Sequence, residues 1–360
     1  MFNRKQLSLL GALAWLPLYF LVQWISHYPV IIEKYYSQGF YPIWSQLLRA
    51  LWGPIPFSVG DIGYSALILF GVIKIYTHIK SSMPFENSLL FLGKSVSVLY
   101  ITFNLSWGLN YYRLPLQETL KLTLVAKDSS ALNNLTTALV RKANSLHLSL
   151  ETDPLRALTV PYSETDILKK ASQGFKEVAK NYPNLYYSKP AIKKSLFALP
   201  LSYMGYAGYL NPFSLEAQIN QKIPTYRLPA VATHEIGHQL GYASERDTNF
   251  IGYLAALEHS DSYFKYAATT LALSYCLGDL NRENTTAYKV AIEMLRPGIL
   301  ENFRSSNRFW QAYKNPLSPY FESVFNKFLI INHQPQGVKS YGQMVQLLLA
   351  YHSEFPLEKN

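Results

Sequence analysis

The N-terminal stretch from Gln6 to Ile32 contains no lysine, arginine, aspartate or glutamate. Its central part, LSLLGALAWLPLYFLVQWI, is long enough to cross a hydrocarbon layer of about 30 Å at about 1.5 Å per helical residue. The run exceeds the apolar region of a usual signal peptide, and no small-residue cleavage site follows it, so we expect it to be retained. A chain with this feature must place part of its fold in a membrane.

Two further apolar runs follow, each interrupted by a single charged residue, Asp61 in the second and Lys94 in the third. A pair of buried core helices is the alternative interpretation. Trp107, Tyr111 and Tyr112, close to Arg113, instead favour a membrane interface, where aromatic side chains collect. We therefore predict a membrane anchor over residues 1–113, with three transmembrane helices at about 7–27, 55–73 and 88–111.

Basic residues near these runs bear on orientation. They lie before the first run, in the first loop, and between the second and third runs: Arg4, Lys5, Lys34, Arg49, Lys74 and Lys80. The positive-inside rule favours a cytoplasmic N terminus, and three spans then place the chain after Arg113 outside the cytoplasm. The predicted location is a bacterial inner or cell membrane.

The formal net charge of +10 narrows the choice of partners. Solvated surface, topology signals and attraction to a lipid bilayer account for such an excess. No dense run of lysine and arginine and no recognition motif is present, so nucleic acid is not an expected partner. Cys276 is the only cysteine, which excludes a disulfide within the chain and a cysteine zinc site.

Residues 114–360 are predicted to form one mostly helical, extracytoplasmic domain. Ser163 to Asp166 resembles a capping box at the start of an amphipathic run, and residues 131–150 show helical periodicity. The region 196–219 differs, since it is rich in aromatic residues, glycine and proline, and it predicts a short strand or hairpin. The expected fold class is mainly α.

The most informative motif is His234-Glu235-Ile236-Gly237-His238. Residues four apart lie on one face of a helix, so both imidazoles reach one metal, and neutral imidazole is a common zinc ligand. In this motif the glutamate acts on metal-activated water as general base and does not bind the metal. Gly241 suits a helix end, and Ser244 suits the start of a second helix. A buried helix with two hydrogen-bonded histidines is the alternative.

A catalytic zinc site takes three protein ligands and one water, so a third ligand is needed. Two acids are candidates, Glu245 and Glu258. Glu258 has the spacing seen in thermolysin-like enzymes. Glu245 and Asn249 resemble the Glu-x-x-x-Asp/Asn pattern of many small and membrane glutamate zincins, in which the second residue supports the site from the second shell. We prefer His234, His238 and Glu245 as ligands of one Zn²⁺ per chain, with Glu258 left open.

Three segments resemble a bacterial membrane family of unknown function, family 3810: WGLNYYR at 107–113, NPFSLEA at 211–217 and HEIGHQLGYASE at 234–245. SYG at 340–342 extends the resemblance over nearly the whole chain. Members resemble this chain in having three N-terminal spans and a zincin-like domain. The family typically reads Glu-x-Glu-Ala-Asn after the metal helix, whereas this chain has Asp247 and Thr248 at the third and fourth positions. Its first acid and its Asn match, which supports Glu245.

Similarity to zincins also implies that residues 209–219 form a strand above the metal, where it pairs with an extended peptide. Glu216 is expected to contact a substrate amine there or to form a structural ion pair. An oxyanion stabiliser is expected as well, from Tyr253, His333 or Tyr341, among which the sequence does not discriminate.

The predicted function is a membrane-anchored zinc metallopeptidase that hydrolyses peptide bonds of peptides or proteins. One alternative is a catalytically silent zincin-fold protein that serves as a binding or scaffold protein at the membrane. Another is intramembrane proteolysis, which is disfavoured because the metal motif does not lie in a transmembrane-length apolar run.

Overall fold

The computed structural model describes residues 3–81, 84–125, 128–332 and 344–357. This part of the chain is mainly α-helical with one small sheet, which confirms the predicted fold class. The helices are α1 (Arg4–Leu13), α2 (Trp15–Ile25), α3 (Pro29–Ile31), α4 (Tyr41–Trp52), α5 (Val59–Ser81), α6 (Phe85–Ser106), α7 (Leu116–Thr119), α8 (Ser129–Leu150), α9 (Glu164–Lys170), α10 (Gln173–Asn181), α11 (Ala198–Met204), α12 (Leu228–Gln239), α13 (Glu245–Leu257), α14 (Ser262–Glu283), α15 (Thr285–Glu293), α16 (Pro297–Ala312), α17 (Ser318–Ile331) and α18 (Met344–Glu354). A π-helical segment, Ile32–Phe40, and 3-10 segments at Gly108–Tyr112, Pro183–Leu185 and Thr225–Arg227 connect them.

Three helical stretches in the described ranges are long and apolar enough to cross a membrane: Arg4–Ile25, formed by α1 and α2, and the single helices α5 and α6. This confirms three candidate spans but corrects their predicted bounds. The second extends to Ser81, and the third begins at Phe85 and ends at Ser106 instead of residue 111. α6 ends there because Trp107, with φ −146°, leaves the helical conformation and a 3-10 turn follows.

The N-terminal end of α5 is fixed to the domain. The buried carboxylate of Glu216 accepts hydrogen bonds from the backbone amides of Val59, at 3.2 Å, and Gly60, at 2.6 Å. Asp61, also fully buried, accepts one from the hydroxyl of Ser195 at 2.9 Å. Carboxylates at a first helical turn satisfy otherwise unpaired amides and complement the helix dipole. This explains why α5 begins at Val59 instead of residue 55, and it assigns Glu216 a structural role.

The sheet contains β1 (Ile192–Lys194), β2 (Gly208–Leu210) and β3 (Ala217–Ile219) in the order β1–β3–β2. β1 is parallel to β3 and β2 is antiparallel to it, with Tyr209 opposite Gln218. β2 and β3 lie in the region where the sequence predicts a strand or hairpin. Because β2 lies at one side of the described sheet, its outer edge is available to a further strand.

The main hydrophobic core of the domain lies between α8, α12, α13 and α14. α12, which carries the metal motif, is buried along its whole length except at His234, which is partly exposed. A helix that is apolar or uncharged on nearly every side belongs inside a core. The motif is therefore held by packing on several sides.

The segment 32–52, between the first two apolar stretches, packs on the domain. It supplies four members of a second buried cluster, which comprises Ile32, Tyr36, Tyr41, Leu48, Trp107, Leu215 and Ala243. The hydroxyls of Tyr41 and Ser45 donate to the backbone carbonyl of Gln239 at 3.1 and 3.0 Å. The sequence assigns this segment to the anchor, and the division of the chain at residue 113 stays a prediction.

The side chain of Gln239, next to the second histidine of the motif, is fully buried, and both its amide nitrogen and its carbonyl oxygen form hydrogen bonds. Its amide donates to the carbonyls of Ala191 and Leu215 at 2.9 and 2.8 Å, and its carbonyl accepts from the hydroxyl of Tyr187 at 2.5 Å. A buried amide with all these partners rigidifies its surroundings. Gln239 thus ties the end of α12 to the sheet and to the segment 32–52.

A buried ion pair completes this junction. The guanidinium of Arg113 donates to both carboxylate oxygens of Glu33, at 2.6 and 3.0 Å, and a third bond reaches the carbonyl of Gly241 at 2.9 Å. The same guanidinium lies 3.8 Å from the ring centroid of Tyr242. Both charged side chains are less than a tenth exposed. The pair therefore connects the segment after the first candidate span and the segment after the third to the end of α12.

We expect Arg113→Met to destabilise the protein by about 3–5 kcal/mol, because it leaves the carboxylate of Glu33 buried without its cation. Thermal unfolding in detergent micelles measures the change. Lys180→Ala is the control, because its ion pair with Glu177 is exposed on both sides, and we expect it to leave the melting temperature unchanged. Equal melting temperatures for wild type and Arg113→Met would contradict the role assigned to the buried pair.

Candidate metal centre

The metal-motif helix and the helix after it are separated by a tight turn. Gly241 has φ +86°, and a Cβ there would lie 2.8 Å from the ring of Tyr41. Only glycine takes this conformation at little cost, which confirms the turn predicted at this position. Ser244 then caps α13 by accepting a hydrogen bond from the amide of Asp247, as its sequence position predicts. Glu245 is consequently the first residue of α13.

The turn brings three potential ligands together. The Nε2 atom of His234 lies 3.4 Å from one carboxylate oxygen of Glu245, and the Nε2 atom of His238 lies 3.5 Å from the other. The ligand atoms of all three residues lie within 4.8 Å of one another. Two ligands on one tetrahedral zinc, each about 2.0–2.2 Å from it, are about 3.4 Å apart. The separations and the donor set therefore fit one zinc ion.

The environment of the histidines also suits metal binding. The Nδ1 atom of His238 lies 2.7 Å from the carbonyl of Tyr242, and this contact assigns the proton to Nδ1 and leaves the Nε2 lone pair for a metal. Thr248 donates to the same carbonyl at 3.0 Å and lies 3.4 Å from Nδ1. The imidazole of His238 packs edge-on against Trp107, with ring centroids 6.1 Å apart. His238 is thus oriented by backbone, side chain and ring together.

Close packing of α12 on α13 sets the distance between the ligands. A Cβ on Gly252 would lie 2.7 Å from the backbone nitrogen of His234, so a larger residue would force the two helices apart. The hydroxyl of Thr233 donates across the same contact to the carbonyl of Gly252 at 2.9 Å. The helix that carries Glu245 therefore approaches the histidines at a distance fixed by a single small residue.

The two carboxylates of the centre differ in electrostatics. Burial raises the pKa of Glu235, and the nearby charge of Glu245 adds to this effect, although the two histidines oppose it. For Glu245, hydrogen bonds and charge from His234 and His238 outweigh burial and hold its pKa well below the usual range. Burial alone would lower the pKa of His238. The hydrogen bond and charge of Glu245 outweigh this effect and raise the pKa to about 9. Opposite shifts of two neighbouring carboxylates are typical of different chemical roles.

Glu235 is 3% exposed and faces the same cavity as the ligands. Its Oε2 atom is buried and has no hydrogen-bond partner among the residues described. A Cβ on Gly208, in β2, would lie 2.5 Å from its Oε1 atom. A buried carboxylate oxygen without a partner, beside three potential metal ligands, is a feature that requires an explanation in function.

Of the two candidate third ligands, the structure brings Glu245 to the histidines, and Glu258 lies at the other end of α13, outside the cluster. Asn249 lines the cavity, but its buried Nδ2 atom has no hydrogen-bond partner among the residues described. Its neighbour Thr248 lies against the Nδ1 atom of His238. The second-shell role of Asn249 stays a prediction.

The three oxyanion candidates of the sequence do not gain support. Tyr253 is fully buried, and its hydroxyl lies 2.6 Å from the Nε2 atom of His352, away from the cavity lining. His333 and Tyr341 lie outside the described residues. Tyr111 and Tyr275 line the cavity with the candidate ligands, and the sequence did not mark either of them as an oxyanion candidate. Burial raises the pKa of both phenols, and the charge of Glu245 adds to the effect, so both remain protonated donors.

The cavity itself has a volume of about 1500 Å³. Its lining joins the metal cluster, the three residues of β2, parts of α14 and α17, and residues of the candidate spans α5 and α6. Ligand sites for small molecules usually enclose about 300–1,000 Å³. This cavity exceeds that range and is large enough for a ligand the size of an extended peptide.

We expect purified protein to contain about one zinc per chain, and His238→Ala and Glu245→Ala to lose it, because a site with two remaining ligands binds weakly. Inductively coupled plasma mass spectrometry of the detergent-purified protein measures the content. Glu258→Ala is the matched control on the same helix and should retain the metal. Retention in Glu245→Ala with loss in Glu258→Ala would overturn the assignment.

The chain matches the profile of a protein family over residues 36–349, which include two candidate spans, the segment 36–52 and the whole metal cluster. That family carries the description Protein of unknown function (DUF3810). Comparisons with curated proteins and with solved structures gave no match. The profile covers well over half of the sequence, and the chain therefore belongs to this family of unknown function, DUF3810.

Proposed function

We propose that the protein is a membrane-anchored, zinc-dependent metallopeptidase that hydrolyses peptide bonds. The observation that carries the proposal is the arrangement of His234, His238 and Glu245 around one point, with the unpaired carboxylate of Glu235 beside it. All four residues line one large cavity. The sequence resemblance to zincins agrees with this arrangement and belongs to the same proposal.

The role of His234, His238 and Glu245 in this proposal is to bind the metal. A zinc ion held there would supply a Lewis acid that polarises a carbonyl and lowers the pKa of water. Tyr242 and Thr248 fix the ring of His238, and the turn at Gly241 fixes the approach of Glu245. The residues therefore keep two imidazoles and one carboxylate aimed at the same point.

Glu235 is the general base. Its raised pKa suits a group that takes a proton from water and later returns it to the leaving amine. Its Oε2 atom has no competing partner in the described structure. The phenols of Tyr111 and Tyr275 are the candidates to donate to the developing oxyanion, since both line the cavity close to Glu245.

β2 is the candidate surface for the peptide backbone. Its three residues line the cavity, and Gly208 lies against Glu235. An extended peptide that pairs with the outer edge of β2 would carry its carbonyls past the metal cluster. Main-chain pairing binds peptides with little dependence on their sequence, and the cavity walls then select side chains.

The topology is also a proposal. The segment 32–52 packs on the domain, so the loop after the first span and the chain after the third lie on the same side. Three membrane crossings place these two parts of the chain on the same side, because two crossings separate them. The charges of Arg4 and Lys5, at the opposite end of the first span, favour a cytoplasmic N terminus and an extracytoplasmic domain.

Glu235→Gln is expected to retain zinc and to lower kcat by about 10²–10⁴-fold, because a neutral amide cannot accept the proton. The assay follows cleavage of a mixed peptide library by mass spectrometry, with metal content measured on the same samples. Unchanged hydrolysis by a zinc-loaded Glu235→Gln variant would sink the proposed mechanism.

Gly208→Ala tests the contact between the strand and the base. A Cβ there would lie 2.5 Å from Oε1 of Glu235 and 2.8 Å from the carbonyl of Gln218, so the carboxylate must shift. We expect zinc to be retained and kcat/KM to fall by about 10²-fold, as misplacement of a reacting group predicts. Gly278→Ala, in the same cavity but with open space around its Cβ, should leave kcat/KM unchanged. Equal activities of both variants would contradict the geometry.

A further inference from the structure

The cavity that holds the metal cluster continues between the candidate spans. Tyr64 and Ile68 of α5 and Phe103 of α6 form part of its lining. Ile68 is 65% exposed although it lines the cavity, so the cavity is open on that side. An opening flanked by two apolar helices faces lipid when the helices cross a bilayer.

The depth of this opening follows from the helix itself. Asp61 is the last residue of α5 that is buried, and Ile68 follows it by seven positions, or about 10 Å at about 1.5 Å per residue. The exposed residues around it, Leu67 and Leu69, are apolar. With α5 across a hydrocarbon layer of about 30 Å, Ile68 lies inside the outer half of that layer.

The metal cluster lies close to the same surface. Trp107 is the first residue after α6, and its ring packs against the imidazole of His238. Tyr111, in the turn that follows, packs edge-on against Phe328 with ring centroids 6.0 Å apart. The reacting bond of a substrate would therefore lie within a few residues of the membrane surface.

The position of α5 beside the cavity is built into the fold. Tyr209 of β2 stacks on Tyr64 of α5, with ring centroids 6.3 Å apart, and its hydroxyl donates to Asp61. Glu216, next to β3, binds the first amides of α5. The strand proposed to bind the peptide backbone and the helix at the lipid-facing opening are thus one rigid unit.

Apolar side chains also surround the opening on the domain side. On α17, the exposed residues include Tyr320, Val324 and Ile331, and Phe328 of this helix lines the cavity. On and before α11, which contacts α17, Leu196, Leu199 and Tyr203 are exposed. The amide of Leu196 donates to Asp61 at 2.7 Å, which places this surface at the outer end of α5. Exposed apolar patches of this kind mark contact with a membrane or a partner.

We propose that the substrate is a polypeptide with an apolar membrane anchor, which enters the cavity sideways between α5 and α6 and is cut close to that anchor. This inference rests on the proposed peptidase function and names its substrate class. The anchor occupies the opening at Ile68 and Phe103, and the adjoining extended segment pairs with β2.

Two other occupants fit less well. A freely soluble peptide has no use for an opening that lies about 10 Å inside the hydrocarbon layer. A membrane lipid fits the opening but has no peptide backbone to pair with the edge of β2. An anchored polypeptide is the one class that uses both parts of the cavity.

The test uses the full chain in liposomes and a library of fluorescence-quenched peptides with randomised central residues. Each peptide is made free, joined directly to a hydrophobic transmembrane helix, or joined to that helix through a long Gly/Ser spacer. We expect the directly anchored form to be hydrolysed about tenfold faster than the spacer form, since both are concentrated at the membrane but only one presents its bond beside the anchor. Equal rates for the two anchored forms would overturn the inference while the peptidase function stands.

Two tryptophan variants locate the entry. Ile68→Trp narrows the opening, and Leu69→Trp is the matched control, because Leu69 is similarly exposed on the same turn but does not line the cavity. We expect Ile68→Trp to lower kcat/KM about tenfold more for the anchored form than for the free form, as obstruction of one pocket predicts. Equal effects of both variants, or an equal loss on the free form, would count against lateral entry.

A binding measurement separates this inference from the proposed chemistry. Cys276 is buried, so Ile68→Cys or Leu69→Cys supplies the accessible thiol for a benzophenone label. In the Glu235→Gln background, the label at position 68 should crosslink the anchored peptides, and the label at 69 should not. Crosslinking without hydrolysis by wild type would leave the entry route standing and remove the peptidase function. No preference for position 68 would overturn the entry route.

Discussion

The contact between Arg113 and Glu33 is the interaction on which the arrangement of the molecule depends. It brings the chain that leaves the third span and the chain that leaves the first span to one point, the carbonyl end of the metal-motif helix. A cation at that end also complements the helix dipole. Burial of two charges is costly in itself, and the bidentate geometry, the third hydrogen bond and the ring of Tyr242 offset that cost. The metal cluster is consequently held at a fixed height relative to the membrane helices.

The fixed position of the cluster relative to the candidate spans determines which residues line the cavity. Its lining includes the candidate metal ligands and the edge strand of the sheet, together with apolar residues of the candidate spans. A domain tethered by a flexible linker would sample many heights, whereas this one is joined to its anchor by the shared cluster around Trp107 and Tyr41. Hydrolytic chemistry and the membrane surface are therefore parts of a single site in our proposal.

Local sequence signals predicted the parts of the structure that depend on near neighbours. The apolar runs predicted three long apolar helices, and Gly241 and Ser244 predicted the turn that delivers Glu245 to the histidines. Features set by distant contacts were not predictable. The pairing of Glu33 with Arg113 spans 80 positions, and the true start of α5 depends on Glu216, 157 positions from Val59. Likewise, the contact of Thr248 with His238 was not predicted, because helix packing decides which side chains of α13 face the histidine.

The hydrogen bonds of Gln239 have a consequence for how the protein is made. Its carbonyl is bound by Tyr41, 198 positions earlier, and its side chain is bound by residues of two other segments. Contacts of such high sequence separation form late, because long loops must close before they become favourable. The end of the motif helix therefore reaches its final position only after both the segment 32–52 and the domain have been synthesised. If the cluster binds a metal as we propose, the metal is loaded in the last step of maturation, after these long-range contacts have formed, and an unfinished chain would lack a formed centre.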